Sequence, residues 1–102
     1  MTVKYIFNKA HEDEALRSEK AVICFSAPWC VPCQTFSPTY SQIADDNKHI
    51  HFYKVDVDES QEFTDLFKIQ SIPAFIFIKN GEKINEIIGV NEQKFLSLLQ
   101  EL

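Results

Sequence analysis

Alternating strand-like and helix-like segments predict an α/β fold for this chain, with a central mixed sheet flanked by helices on both faces. Three observations carry the prediction. Short apolar runs and helix-period stretches follow one another in the order βαβαβαββα, and strictly alternating units build parallel strands. The last two strands are joined by Asn80-Gly81, a strong short-range hairpin signal, so the sheet closes with an antiparallel pair. The 102 residues are 45% hydrophobic and 13% aromatic, enough for one core in one domain over residues 1–102 without disulfide or metal staples.

The elements follow in order. Residues 2–7 are rich in β-formers (Val3, Tyr5, Ile6, Phe7) and read as a first strand. Asn8 can cap a helix from about Lys9 to Ser18, with Ala10, Ala15 and Leu16 as a modest apolar set. Ala21–Phe25 is a continuous apolar run, the mark of a buried central strand over residues 21–26. A helix from Cys30 to about Asp46 carries Phe36, Tyr40, Ile43 and Ala44 on one face, and Pro38 is expected to kink it by removing one N–H from its interior. His49–Val55 reads as the next strand. Asp58 followed by Gln61 resembles a capping box for a short helix whose apolar face is Phe63, Leu66 and Phe67. Ile72-Pro73 interrupts the chain before the strand Ala74–Ile78, and Ile84–Ile88 returns from the hairpin. Gly89 ends that strand and Asn91 caps a final helix, where Phe95, Leu98, Leu99 and Leu102 form an apolar stripe.

The chemistry concentrates in residues 21–38, AVICFSAPWCVPCQTFSP. Cys30 and Cys33 stand where a strand hands over to a helix. Two thiols at i and i+3 in a first helical turn share a face and can close a small disulfide ring. Unpaired backbone N–H groups and the positive end of the helix dipole favour the thiolate of the first. That arrangement points to thiol–disulfide exchange, with Cys30 attacking and Cys33 resolving. Half of a zinc site is the other reading of such a pair. Zinc needs about four ligands, and Cys24, His11, His49 and His51 follow no zinc-finger spacing. No metal is expected.

The run Trp29-Cys30-Val31-Pro32-Cys33, with Pro38 five residues on, resembles the active site of the thioredoxins, and the element order matches their fold over essentially the whole chain. The usual motif is WCGPC, so Val31 is a departure. Its β-branched side chain stiffens the turn and adds bulk beside the nucleophile. Pro32 suits a first helical turn and removes a donor from the thiolate, which favours a reducing poise. The resemblance makes Trp29 a cover for the active-site surface. It makes Pro73 a cis-proline facing the cysteines, Ile72 a backbone partner for bound substrate, and Gly89 a border of the docking surface. The family's buried Asp, six residues before the nucleophile, is Cys24 here, while Lys54 matches the lysine that neighbours it. Proton transfer at Cys33 is then expected to pass through water or through Lys54, since a buried lysine without its acid has a lowered pKa and can act as a base; Cys24 itself reads as a small buried hydrophobe.

A net charge of −5 speaks against nucleic acid and anionic membranes as partners. The acidic residues from Asp56 to Asp65 read as a solvated rim. The N-terminal MTVKYIFNKAHEDE lacks an apolar stretch of signal-peptide length, and Ala21–Phe25 and Ile72–Ile78 are too short to span a bilayer. A cytoplasmic monomer is expected, where a CxxC is catalytic or metal-binding rather than a structural staple. The family implies a protein-disulfide reductase without a bound cofactor, recycled from NADPH by a flavoprotein thioredoxin reductase and serving substrates such as peroxiredoxins. A redox-silent binding module and a secretory oxidase or isomerase are the other classes. Retention of both cysteines argues against the first, and Val-Pro instead of Gly-His against the second.

Overall fold

The computed structural model describes residues 2–102. Five strands form one sheet in the order β1-β3-β2-β4-β5: β1 (Val3–Tyr5), β2 (Lys20–Ser26), β3 (His51–Asp56), β4 (Ala74–Lys79) and β5 (Glu82–Ile88). β1, β3 and β2 run parallel, and β4 and β5 complete the sheet antiparallel. The mixed sheet expected from the alternating units and the closing hairpin is therefore present. Asn80 and Gly81 both have positive φ (51° and 79°), as the primed hairpin turn requires. A bulge between Phe77 and Ile78 interrupts the β4/β5 register.

Residues from Ala21 to Ser26 are all buried, because β2 is paired on both edges and covered on both faces. Alternation along the strands sorts the core into two clusters. On one face Val22, Phe52, Phe75 and Phe77 pack with Phe36 and Tyr40 of α2 (Val31–Asp46) and with Phe95 of α4 (Glu92–Leu99). On the other, Ile23, Phe25, Tyr53 and Ile76 meet Ala15 of α1 (Lys9–Leu16) and Phe63 of α3 (Gln61–Leu66). Phe95 sits at the centre of an aromatic group, with ring centroids 5.1 Å from Phe75, 5.3 Å from Phe77 and 6.0 Å from Phe36. Tyr40 reaches through this layer and its hydroxyl donates to the Tyr53 carbonyl at 2.7 Å.

Several local readings are corrected. β1 is three residues long, although Ile6 N still donates to Lys54 O. α1 stops at Leu16 and buries Ala15 alone; Ala10 is exposed. β3 begins at His51, because Ile50 N bonds back to Asn47 O in a turn. The capping box at Asp58 does not form. Ser60 holds the N-cap of α3 without a side-chain bond, while the Asp58 carboxylate binds Trp29. Leu66 is exposed, and only Phe63 and Phe67 turn inward against Phe25. Asn8 and Asn91 do cap their helices, accepting from His11 N and Lys94 N, and α2 continues through Pro38.

Phe95→Ala removes the ring that joins α4 to Phe75 and Phe77 of β4 and to α2. It is expected to cost about 3–5 kcal/mol, read as a lowered midpoint in urea denaturation with an unchanged slope.

Candidate functional site

β2 aims the chain at the site. Past Ser26, the buried Ala27 offers its carbonyl to Cys30 N at 3.1 Å and to Gln34 Nε2 at 2.9 Å, which ties the turn to the first turn of α2. Cys30 is the N-cap of that helix, with extended backbone (φ −85°, ψ 107°), and Pro32 occupies the first turn. Cys30 and Cys33 are joined by a disulfide, with Cα atoms 5.3 Å apart. The Cys30 sulfur accepts the Cys33 backbone N–H at 3.3 Å. Reduction leaves that N–H and the positive helix end beside the sulfur. Both stabilise a thiolate more than a thiol. The residues themselves are 5% and 4% exposed.

Around this pair the surface is apolar. Trp29 is 67% exposed and Val31 73%. Trp29 is therefore not a core aromatic; its ring is pinned over the surface by Nε1 donating to Asp58 Oδ2 at 2.8 Å. Half-buried Ile72 and Val57 pack against the cluster of Ala27, Cys30 and Cys33. The Ile72–Pro73 bond is cis. Gly89, with φ +85°, donates its N–H to Pro73 O at 2.7 Å, so it lies against the proline from the neighbouring strand. A groove of about 230 Å³ runs from Trp29 and Asp58 to Ile72.

Cys24 is a free thiol, buried in the core on the α2 face of the sheet. Its register partners are Lys54 on β3 and Phe75 on β4. Burial pushes its pKa up to about 12, against the opposing pull of the Lys54 charge. Lys54 is half-buried rather than buried, and its Nζ donates to Ser37 Oγ at 3.1 Å. The burial on which a base role for Lys54 was premised is thus only partial. His49 and His51 are exposed, and His11 Nδ1 accepts from Phe7 N in a local turn. Among the described residues no group of three or more His, Cys, Asp or Glu is placed to hold a metal.

Sequence reasoning missed Asp58 as the partner of Trp29, Val57 as packing for the cysteines, and exposed Val90 beside Gly89. Asp58 lies 29 positions from Trp29 and had a competing local reading as a helix cap. No signal in the sequence pairs the two.

The family model described as Thioredoxin matches residues 2–101 of the chain. Thioredoxin from Geodia cydonium is 40% identical over 94 residues, covering 88% of this chain and 89% of that one. Thioredoxin-2 from Pyricularia oryzae is 36% identical over 100 residues; the match covers 97% of this chain but only 58% of that longer relative. Among solved structures, a chain from the study of the thiol resolving mechanism in yeast mitochondrial 1-Cys peroxiredoxin via glutathione/thioredoxin systems superposes with a TM-score of 0.91. It is 26% identical, over 99% of this chain and 96% of that one.

Cys24 generates a prediction. A thiol raised from 9.0 to about 12 carries roughly a thousandfold less thiolate below pH 9. In the oxidised protein at pH 8, iodoacetamide is expected to label Cys24 at least that much more slowly than in denaturant. Its folded pKa lies above its unfolded value, so its contribution is intact below about pH 9 and is lost as pH rises toward about 12. Cys24→Ala should flatten the stability loss over that window in alkaline denaturation.

Proposed function

The chain belongs to the thioredoxin family and is a protein disulfide oxidoreductase, and we propose that it runs in the reducing direction, on protein disulfides, with Cys30 as nucleophile and Cys33 as resolving thiol. The single observation that carries this reading is the Cys30 sulfur at the N-cap of α2, accepting the Cys33 N–H. The Cys30 thiolate attacks one sulfur of a substrate disulfide and expels the other as a thiolate, leaving a mixed disulfide. Cys33 then loses its proton and attacks Cys30. The second substrate sulfur leaves, and the Cys30–Cys33 disulfide carries away the two electrons' worth of oxidation.

The remaining site residues support that sequence of steps. Exposed Trp29 and Val31 give a substrate an apolar landing next to the nucleophile. Ile72, packed on the cysteine cluster, supplies backbone groups for strand-like pairing, with Pro73 and Gly89 closing the far side. Pro32 fixes the first turn. With Cys24 held protonated in the core, the Cys33 proton passes to water rather than to a buried carboxylate, while Lys54 Nζ is engaged with the Ser37 hydroxyl.

The electrons reside in the dithiol, so the reaction needs no bound cofactor. Recycling falls to an NADPH-dependent flavoprotein of the thioredoxin reductase kind. Peroxiredoxins are substrates of the class the site suits; a solved chain of this fold comes from a study of peroxiredoxin thiol resolution. The protein acts as a cytoplasmic monomer in electron transport and cell redox homeostasis. No helix in the described residues is long and apolar enough to cross a membrane.

The test is a redox titration against dithiothreitol buffers followed by Trp29 fluorescence. A two-electron transition more reducing than the glutathione poise is expected; a markedly more oxidising midpoint overturns the reductase reading. Cys30→Ser is expected to abolish reduction of insulin disulfides, and Cys33→Ser to accumulate the mixed disulfide as a higher band on non-reducing gels.

Val31→Gly is expected to change the relative rates for different protein disulfides by several-fold while the chemistry persists. Identical rates across several substrates for both proteins remove Val31 from substrate choice.

A further inference from the structure

The last residues of the three parallel strands, Tyr5, Ser26 and Asp56, all line one cavity of about 300 Å³ at the sheet's carboxyl edge. It lies behind the cysteine turn, away from the groove beside Trp29. The topology opens a crevice at this place. β2 leaves into α2, which packs on one face, and adjacent β3 leaves into α3, which packs on the other. Ser26 and Asp56 are register partners at that divergence. Open α/β sheets take ligands where neighbouring connections part in this way, beyond the carboxyl ends of the strands.

The lining has the composition of a ligand site: apolar walls with a few convergent polar groups. Ile6, Val55, Ala27 and Pro28 supply apolar surface. The Tyr5 and Phe7 rings stack with centroids 5.8 Å apart and planes 10° apart, and both are exposed. Ser26 is 3% exposed and closes the inner end of the cavity between β2 and β3. Lys54 Nζ spends one bond on Ser37 and has two donors to spare. Asp56 Oδ1 takes Asp58 N, and Glu59 adds a second carboxylate. One cation against two carboxylates leaves the cavity wall slightly negative.

We propose that this cavity is a second binding site, for a small flat heteroaromatic ring that carries both an amino donor and ring acceptors. The ring lies against the Tyr5–Phe7 stack and Pro28, where aromatic faces and apolar surface meet. Its amino group donates to Asp56 or Glu59. Its ring nitrogens accept from Lys54, whose ammonium has donors left over. The excess negative charge selects the neutral ring over its phosphorylated forms. Ala27 and Gln34 line this cavity and also hold the cysteine turn through the Ala27 carbonyl. An occupant therefore shares a wall with the redox loop without touching the groove in which substrate docks.

Adenine serves as the probe, with AMP as the same ring carrying phosphate. Both are titrated into the ¹⁵N-labelled oxidised protein while amide NMR signals are followed. Adenine is expected to move the Phe7, Ala27, Gln34 and Asp56 signals saturably, and AMP to bind several-fold more weakly. Tyr5→Ser is expected to weaken adenine binding by about three- to tenfold; Tyr5 is exposed, so its variant tests the site without disturbing the core. No saturable shift at these residues up to the solubility of adenine means that the cavity holds only water and overturns the proposal. Equal binding of AMP, or shifts confined to the residues around Trp29 and Ile72, overturns it as well.

Discussion

Burial of β2 on both faces, with hydrogen bonding along both of its edges, leaves that strand a single exit, at its carboxyl end. The backbone groups of Ala21–Ser26 are spent on β3 and β4, and the side chains on the two core clusters. The turn that follows has little freedom. Ala27 is buried against the cysteines, and its carbonyl is claimed by Cys30 N and Gln34 Nε2. The N-cap of α2 is therefore set by the sheet rather than by the helix itself, and the sulfur of Cys30 inherits that position. A site built this way is held by rigid elements on both sides of a four-residue turn.

The electrostatics at the sulfur come from the backbone. Its recorded hydrogen bond is from the Cys33 N–H, and Pro32 leaves the first helical turn one donor short. Thiolate stabilisation of this kind is local and directional, and it needs no nearby cation. The nearest buried thiol goes the other way: Cys24 sits in the core, where desolvation keeps its proton on far above neutral pH. Two cysteines on successive elements thus receive opposite treatment, one from a helix end and the other from an apolar interior. Chemistry follows the first.

The two faces of the sheet are packed by different means. α2 and α4 meet the sheet through an aromatic group around Phe95, and edge-on ring contacts dominate there. α1 and α3 contribute less, with Ala15 and Phe63 as their main buried side chains. The loops after β1 and β3 hang from this thinner side and from the carboxyl edge. That is where the structure leaves space, both in the groove beside Trp29 and in the cavity behind the cysteine turn.

The sequence by itself determined the element order, the mixed sheet, the hairpin at Asn80-Gly81 and the strand–turn–helix that carries Cys30 and Cys33. Those features rest on short-range physics: apolar period, turn residues that accept positive φ, and capping side chains a few positions from the backbone they serve. Where two short-range options competed, the tertiary structure decided. Asp58 could open a capping box with Gln61 or accept from the Trp29 indole, and the fold chose the indole because α3 begins only at Gln61, with Ser60 as its N-cap, while Trp29 arrives from the turn after β2. Leu66 fits an apolar helical face, yet α3 spans only six residues and turns Phe63 inward, leaving Leu66 in solvent. The surroundings of the cysteines, Val57 and Ile72 above all, and the crevice that joins Tyr5, Ser26 and Asp56 depend on strands far apart in the chain. No periodicity records such meetings, since they exist only once the parallel crossovers are made.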